Sequence, residues 1–425
     1  MITVKDLKGK TVGAAVSGGL DSSTLTRWLT DNGVKVICFV VDLAQPDEQN
    51  FNEIKKRLLI AGAKEVVVVD GKNDLAKIGV LAIQAQAKYE GGYWNTTALA
   101  RHITTELILR EMKKRKINIF THGATGRGND QVRFQLVTNM LEPDITVYAP
   151  WRDDAFLKAF GGRKEMIDFC KKRKIPIKAT MDKPYSTDAN MLGLTHEAGK
   201  LESLATPADF VKPEMGTLPK DAPDKEEQFY ITFQQGFPVR INGKKTTLLE
   251  AFLLANKIGG RNGVGIGIHV VENRFVGIKS RGVYEMPGIE LLGKCYEFLL
   301  QLILERRSRR LFQFLSEFIA EQVYQGYFYD PASNAAMSAI KHLASFVSGN
   351  VYASLYRGNV FYQKIEQAKN SLYSETTGSM EKVGSFNHAD SEGFLRVLGV
   401  TAKALNAAKQ IDLTPIGSNY KKNKK

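Results

Sequence analysis

Ser17-Gly18-Gly19-Leu20-Asp21-Ser22 closes an apolar run (Thr11 to Val16) and opens a helical pattern that begins near Leu20. A strand that turns through two glycines straight into a helix builds an anion trap. The first helical N–H groups lack intrahelical partners, and the positive helix end faces the same way. Ser17 and Ser22 add hydroxyl donors, and Asp21 is placed to hold Mg²⁺ or to order the loop. No Gly-x4-Gly-Lys-Ser/Thr stretch occurs, so the loop is not a Walker A element. A second stretch, His122-Gly123-Ala124-Thr125-Gly126-Arg127-Gly128-Asn129-Asp130-Gln131-Val132-Arg133-Phe134, also follows a strand pattern and precedes a helical one. Its glycines admit close approach of backbone to a ligand. Thr125, Asn129, Asp130 and Arg133 are the residue types that hold a zwitterion's carboxylate and ammonium, Arg by donating two parallel hydrogen bonds from a planar fork.

The elements that must position these loops alternate. Strand patterns at Thr11–Val16, Val34–Val41, Glu65–Asp70, Ile117–Thr121 and Ile145–Ala149 are separated by helical ones at Asp47–Ala61, Asp74–Lys88 and Ala98–Arg115. A further strand is expected at Ile175–Lys178. Such alternation predicts an α/β fold with a doubly wound parallel sheet, and ligands in such sheets sit beyond the carboxyl ends of the strands. After about residue 180 the pattern changes. A Pro-rich connecting segment (205–227) leads to short strands at Phe229–Phe233 and Val239–Ile241, with Asn242-Gly243 as a hairpin turn. Helices follow at Leu248–Asn256, Leu291–Gln325 and Ser333–Ser348, and a second hairpin joins Val351–Tyr356 to Val360–Lys364. This predicts a second, α+β domain.

The chain has 425 residues, 43% hydrophobic and 24% charged, so two or three ordinary globular domains are expected. No uncharged apolar stretch is long enough to span a membrane, and Met1 to Asp6 carries no signal-peptide core. Cys38, Cys170 and Cys295 read as buried thiols, not a disulfide frame or zinc site, and the expected location is cytoplasmic. The net charge of +14 suits anionic ligands or nucleic acid. Lys113 to Lys116 and Lys171 to Lys174 follow helical patterns, where cations oppose the helix dipole by about 0.3–1 kcal/mol each. Lys421 to Lys425 is a polar basic tail.

Six separated stretches together carry a resemblance. Ala15-Val16-Ser17-Gly18-Gly19-Leu20-Asp21-Ser22-Ser23, Thr125 to Asp130, Tyr185-Ser186-Thr187-Asp188-Ala189-Asn190-Met191, Thr195-His196-Glu197, Val271-Glu272-Asn273-Arg274 and Lys279-Ser280-Arg281-Gly282-Val283-Tyr284-Glu285 stand in the order found in the argininosuccinate synthase family. The first loop resembles the pyrophosphatase loop of synthetases that split ATP into AMP and diphosphate. The resemblance implies an adenine nucleotide alpha hydrolase-like domain (1–178), a synthetase domain for citrulline and aspartate (179–400), and a C-terminal helical arm with a basic tail (401–425). It implies ligation of citrulline to aspartate through a citrullyl-AMP intermediate, with ATP as substrate and Mg²⁺ alongside. A homotetramer is implied, and no nucleic-acid or membrane partner is required.

The resemblance also assigns roles. Ala15 to Ser23, Val41, Gly123, Thr125, Asp130 and Asp188 would meet ATP; Thr125, Asn129 and Asp130 would meet aspartate. Tyr93, Asn129, Arg133, Ser186, Thr195, Glu197, Glu272 and Tyr284 would meet citrulline. No dedicated protein metal site is expected; Mg²⁺ would come with ATP, with Asp21 as the candidate protein contact. Arg133 suits citrulline's carboxylate, Glu197 and Glu272 its ammonium, and hydroxyls its ureido end. The chain departs from the family at three places. Arg127 stands where lysine is common, Ala98 where one branch has serine (leaving that contact to Thr96 or Thr97), and His269 where an acid is usual, in a stretch (263–271) one residue longer. Two rival classes are a different ATP pyrophosphatase and an RNA-binding protein that keeps the fold without turnover. His122, His196 and His269 are expected to play core or supporting parts.

Overall fold

Five apolar runs become strands of one parallel sheet: β1 (Thr11–Ala15), β2 (Lys35–Asp42), β3 (Glu65–Asp70), β4 (Ile119–His122) and β5 (Thr146–Tyr148), ordered β3-β2-β1-β4-β5. The structure is a computed structural model and describes residues 2–47, 50–177, 184–381, 384 and 387–416. Between and after these strands run α1 (Leu20–Asp31), α2 (Phe51–Ile60), α3 (Lys72–Ala85), α4 (Thr96–Lys114), α5 (Asp130–Leu141), α6 (Asp154–Ala159) and α7 (Arg163–Lys172). Alternation along β2 shows why helices cover both faces. Val36, Cys38 and Val40 share a core with α1, α2, α6 and α7, whereas Ile37, Phe39 and Val41 share one with α3 and α4. Strand order reverses between β1 and β4, where Ala15 lies opposite His122. Both glycine-rich loops therefore leave adjacent strand ends at a topological switch point.

The second half builds two antiparallel sheets. β6 (Ser186–Asn190), β7 (Gly193–Glu197), β11 (Ile266–Asn273) and β12 (Lys279–Glu285) form one, ordered β11-β12-β7-β6. β8 (Glu227–Gln234), β9 (Phe237–Ile241), β10 (Lys244–Lys245), β13 (Gly349–Tyr356) and β14 (Asn359–Glu366) form the other. Helices α8 (Leu248–Arg261), α9 (Pro287–Ile303), α10 (Arg306–Gln325) and α11 (Pro331–Ala344) complete this part. Asn242-Gly243 and Arg357-Gly358 both take positive φ, as the expected hairpin turns require.

Several elements differ from the sequence expectation. Leu291–Gln325 is not one helix: it breaks at Leu304, and Glu305 caps α10 by accepting from the Arg307 and Ser308 amides. Ile175–Ile177 form no strand, and Lys178 lies outside the described residues. The helix expected from Asp47 starts at Phe51, capped by Asn50 on the Glu53 amide; residues 48 and 49 lie outside the described residues. The strands at 186–197 and 266–285 were not foreseen. The three cysteines are free and buried, as expected. Lys113, Lys114, Lys171 and Lys172 do sit in the last turns of α4 and α7.

Residues up to Asn370 form one unit and those from Ser371 another. Within the second, α12 (His388–Ala407) runs across the boundary expected at 400–401, and none of its residues is buried. The basic tail falls outside the described residues.

One close approach fixes the segment that carries Tyr93. Trp94 is fully buried, its Nε1 donates to Glu290 Oε2 of α9 (2.5 Å), and its ring lies against Gly293. A Cβ at 293 would stand 2.3 Å from Trp94 Cζ2. Overpacking of this kind costs about 1–3 kcal/mol. Gly293→Ala is accordingly expected to lower the unfolding free energy by about that amount; an unchanged urea midpoint would show that the indole can move aside.

Candidate functional site

The first loop is shaped by Gly18. Its φ is +80°, and a Cβ there would sit 2.5 Å from Ile54 Cγ2, so two separate constraints demand glycine. Arg57 Nη1 donates to Gly18 O at 2.6 Å and pins the turn. Ser22 Oγ accepts the Ser17 amide at 3.0 Å, which leaves the Ser17 hydroxyl at the surface. Gly19 is the N-cap of α1 and no side chain caps that end, so its first-turn amides remain available to an anion. Asp21 stands exposed on this first turn; the protein crowding around it raises its pKa, against the pull of Arg163.

The second loop lies beside the first. A Cβ on Gly123 would be 3.8 Å from Asp21 Cβ. His122 is buried and held neutral, its pKa pushed down to about 3 by burial and then by Arg152. Its Nδ1 accepts the Ala124 amide at 3.2 Å, placing the ring proton on Nε2. Asn129 Oδ1 accepts the Phe275 amide at 3.0 Å, leaving its Nδ2 donors for another acceptor. Thr125 is exposed.

Asp130, at the start of α5, accepts from Arg101 Nε and Arg133 Nη1, both at 2.8 Å. Burial would raise its pKa, but the two guanidiniums outweigh it and hold the carboxyl at about 2. Arg101 also pairs with Asp188 on β6, whose pKa burial and the Asp130 charge raise. Arg133 spends its Nε on Tyr324 O (2.9 Å), so Nη2 is the donor its fork has left.

The antiparallel sheet delivers a second connected set. Tyr93 stacks on Tyr284 with ring centroids 4.1 Å apart, and Tyr284 Oη donates to Glu272 Oε1 at 3.1 Å. Gly282 makes room for this ring: a Cβ there would be 2.4 Å from the Tyr284 hydroxyl. Tyr93 Oη accepts the Thr97 amide, and the Thr97 and Thr195 hydroxyls lie 3.1 Å apart. Ser280 Oγ donates to Glu272 Oε1, while Glu272 Oε2 is buried without a hydrogen-bond partner. Arg274 Nη2 reaches Glu197 Oε2 at 3.0 Å. Partial desolvation lifts Glu197 to about 6; Arg274 opposes this, and Asp130, Asp188 and Glu272 add to it.

Most of the polar residues expected in the site are thus found at the two loops or on the antiparallel sheet, whereas the side chains of Val16 and Leu20 lie in the core. Two others stand apart. Val41 has its side chain in the sheet core beside Gly71 and its carbonyl accepts from Gln45 Nε2 at 3.0 Å, and Ser186 is exposed on β6 opposite Glu197. Ala98 is wholly buried, so Thr97, facing Thr195, is the hydroxyl at that position. His196 is locked to Glu285 at 2.6 Å, and His269 is exposed and accepts from Arg281. Within 263–271 the β11 register shifts between Ile266 and Ile268, a bulge with Gly267 at φ +76°. Glu272 keeps its register opposite Ser280.

Sequence reasoning missed Arg101 and gave Arg274 no role beyond its place in the Val271-Glu272-Asn273-Arg274 stretch. A signal for Arg101 existed, since it lies four residues after Thr97 on the same helix face.

Comparison with known proteins identifies the family of the chain. The profile of the arginosuccinate synthase N-terminal HUP domain matches residues 11–176, and that of the arginosuccinate synthase C-terminal domain matches 185–405. The chain is 43% identical over 391 residues to the argininosuccinate synthase of Rhodopirellula baltica, covering 92% of this chain and 96% of that one. It is 37% identical to those of a Thermotoga species (93% and 97% covered) and Schizosaccharomyces pombe (90% and 94%).

Arg101 is the shared counter-charge of two carboxylates, which gives a stability test. In the native chain Asp130, held at about 2, adds stability above its unfolded pKa and loses it as pH falls toward 2. Arg101→Met raises both folded pKa values, because Asp188 loses its paired guanidinium and Asp130 keeps only that of Arg133. The variant should lose about 2–3 kcal/mol near pH 7, less than a fully buried pair would, and the deficit should shrink as pH drops toward 4 (about the unfolded Asp value). A deficit that stays constant between these pH values in urea titrations would contradict the assigned charges.

Proposed function

The chain belongs to the argininosuccinate synthase family, and on that premise we propose how its residues divide the work. The enzyme joins L-citrulline to L-aspartate, consuming ATP and releasing AMP and diphosphate through a citrullyl-AMP intermediate, in arginine biosynthesis. A ureido oxygen is a poor leaving group and AMP a good one, so adenylylation must come first. The observation that carries the assignment of roles is the meeting of the two glycine-rich loops at one strand edge with the Glu197–Glu272 sheet beside them.

The first-loop amides, the α1 N-terminus and the Ser17 hydroxyl hold the triphosphate and take up charge as diphosphate departs. Gly123 and the Val41 backbone flank the nucleotide. Asp188, with its pair to Arg101, stands on the ATP side. Mg²⁺ fits as a companion of the nucleotide: Asp21 is an exposed carboxylate at the loop, and among the described residues no cluster of three or more His, Cys, Asp or Glu forms a protein cage. Bound there, it would neutralise phosphate charge.

Citrulline's ammonium goes to Glu197 and to the unpartnered Oε2 of Glu272, its carboxylate to Arg133 Nη2 and Asn129 Nδ2, and its ureido end toward the Tyr93, Thr97 and Thr195 hydroxyls, with Tyr284 and Ser186 completing the wall. Aspartate takes Thr125, Asn129 and Asp130. No protein nucleophile enters; positioning and fixed charge act instead. On this division the first domain (1–178) holds the nucleotide and supplies the aspartate contacts together with Tyr93, Asn129 and Arg133, while the second (179–400) adds Ser186, Thr195, Glu197, Glu272 and Tyr284 for citrulline. The exposed Phe394, Leu395, Val397 and Leu398 of α12 suit an arm packed on other copies in a cytoplasmic homotetramer. Among the described residues no helix is long and apolar enough to cross a membrane.

Incubation with Mg·ATP, citrulline and labelled aspartate should yield argininosuccinate, AMP and diphosphate in equal amounts. Asp21→Ala should reduce turnover by about 100-fold or more, as loss of a preorganised electrostatic group does, with the fold intact by circular dichroism; undiminished diphosphate release would refute its role. Glu197 must be ionised to hold an ammonium, so kcat/KM for citrulline should fall as pH drops through about 6. A profile flat from pH 8 to 5 (a span about this value) would remove Glu197 from the ammonium site.

A further inference from the structure

We propose that Arg274 is a positioning residue that couples the citrulline end of the cleft to the second glycine-rich loop. The inference rests on the assignment of Glu197 and Glu272 to citrulline. The backbone of Arg274 is fixed in the turn between β11 and β12: its amide donates to Ile278 O at 2.8 Å, and its carbonyl accepts the Gly277 amide at 2.9 Å. Its guanidinium then crosses the sheet in three directions. Nε donates to Ser280 Oγ at 2.6 Å, and that hydroxyl in turn donates to Glu272 Oε1. Nη2 donates to Glu197 Oε2 at 3.0 Å, and Nη1 to the Arg127 carbonyl of the second loop at 3.3 Å. The adjoining Phe275 amide donates to Asn129 Oδ1 at 3.0 Å. One rigid turn therefore grips both carboxylates proposed for the ammonium of citrulline and both the backbone and the amide side chain of the loop proposed for aspartate.

The planarity of the guanidinium matters. Its donors lie in a fixed fork, so a shift at Glu197 moves the donors on Arg127 and Ser280 together, whereas a lysine would offer one mobile point charge. When an ammonium engages Glu197, the Arg274 contact is redistributed, and the carbonyl of Arg127 and the amide of Asn129 feel the change. Coupling of this kind is reciprocal, so aspartate must in turn affect citrulline. The role is one of orientation, since the side chain is already committed to protein acceptors.

Steady-state kinetics of the full-length enzyme test it. Arg274→Gln should raise KM for citrulline and for aspartate by about fivefold or more each, with KM for ATP within about twofold, as for an uncoupled site. The acidic limb of kcat/KM for citrulline should move above about 6, because Glu197 loses its one adjacent cation while Asp130, Asp188 and Glu272 still face it and Arg101 and Arg133 remain tied to Asp130. Arg274→Lys should return the limb toward 6 yet leave KM for aspartate raised, and it serves alone if the glutamine variant does not fold. Unchanged KM for aspartate in either folded variant, or a limb that does not move in Arg274→Gln, overturns the proposal. Glu197→Gln separates the two levels: if it leaves KM for citrulline unaltered, the citrulline assignment itself fails, whereas a raised KM there with additive Arg274→Gln effects defeats only the coupling.

Discussion

Four carboxylates crowd one cleft: Asp130, Asp188, Glu197 and Glu272. Like charges so placed cannot all ionise unless cations stand among them. Arg101, Arg133 and Arg274 supply three, and each is shared or braced rather than paired singly. Asp130 receives two guanidinium contacts and stays ionised at about 2, whereas Glu197 receives one and rises to about 6. Glu272 receives none, only hydroxyl donors on one oxygen. The gradient of compensation runs from the second loop toward the antiparallel sheet. Under the proposed assignment citrulline would enter this gradient with its ammonium toward Glu272 and its carboxylate toward Arg133, and so be oriented before any reacting atom is in place.

Two unlike sheets are needed to produce that gradient. The parallel sheet gathers backbone amides beyond its strand ends, as an anion site requires, because its strand order reverses at β1 and β4 and both following loops open helices. It has few side chains to offer there, since small residues are what allow the close approach. The antiparallel sheet does the opposite. Residues two apart on one strand and opposite on the next share a face, so Thr195, Glu197, Glu272, Ser280 and Tyr284 converge from three strands. The bulge at Gly267 sets two β11 residues against one of β12, and beyond it Glu272 lies opposite Ser280.

The parallel sheet was legible because its strands are continuous apolar runs bounded by glycine-rich turns and spaced by helices. Glu65–Asp70 matches residue for residue. The antiparallel site sheet was not. Ser186-Thr187-Asp188-Ala189-Asn190 and Lys279-Ser280-Arg281-Gly282 carry polar residues on the face where alternation would need apolar ones, because that face holds the site. The motifs could be placed in order along the chain, but not on adjacent strands. The break between α9 and α10 was hidden for another reason: Glu305 ends one helix and caps the next without glycine or proline to mark it. Arg101 was hidden because an arginine inside a helical pattern reads as a solvated face, and only the position of Asp130 and Asp188 in space gives it two partners.

The cleft also explains why histidine chemistry is absent from it. His122 lies at the end of β4, opposite Ala15, yet burial and the nearby Arg152 keep it neutral throughout the range where an imidazole usually exchanges protons. His196 is spent on Glu285, whose carboxylate also accepts the Glu214 and Met215 amides and so ties the connecting segment to β12. A reaction that moves negative charge from one phosphate to another needs donors that do not change protonation as it proceeds. Backbone amides, arginines and a histidine fixed in its neutral form meet that requirement, while an imidazole titrating near pH 7 (about its free value) would couple each turnover to proton uptake.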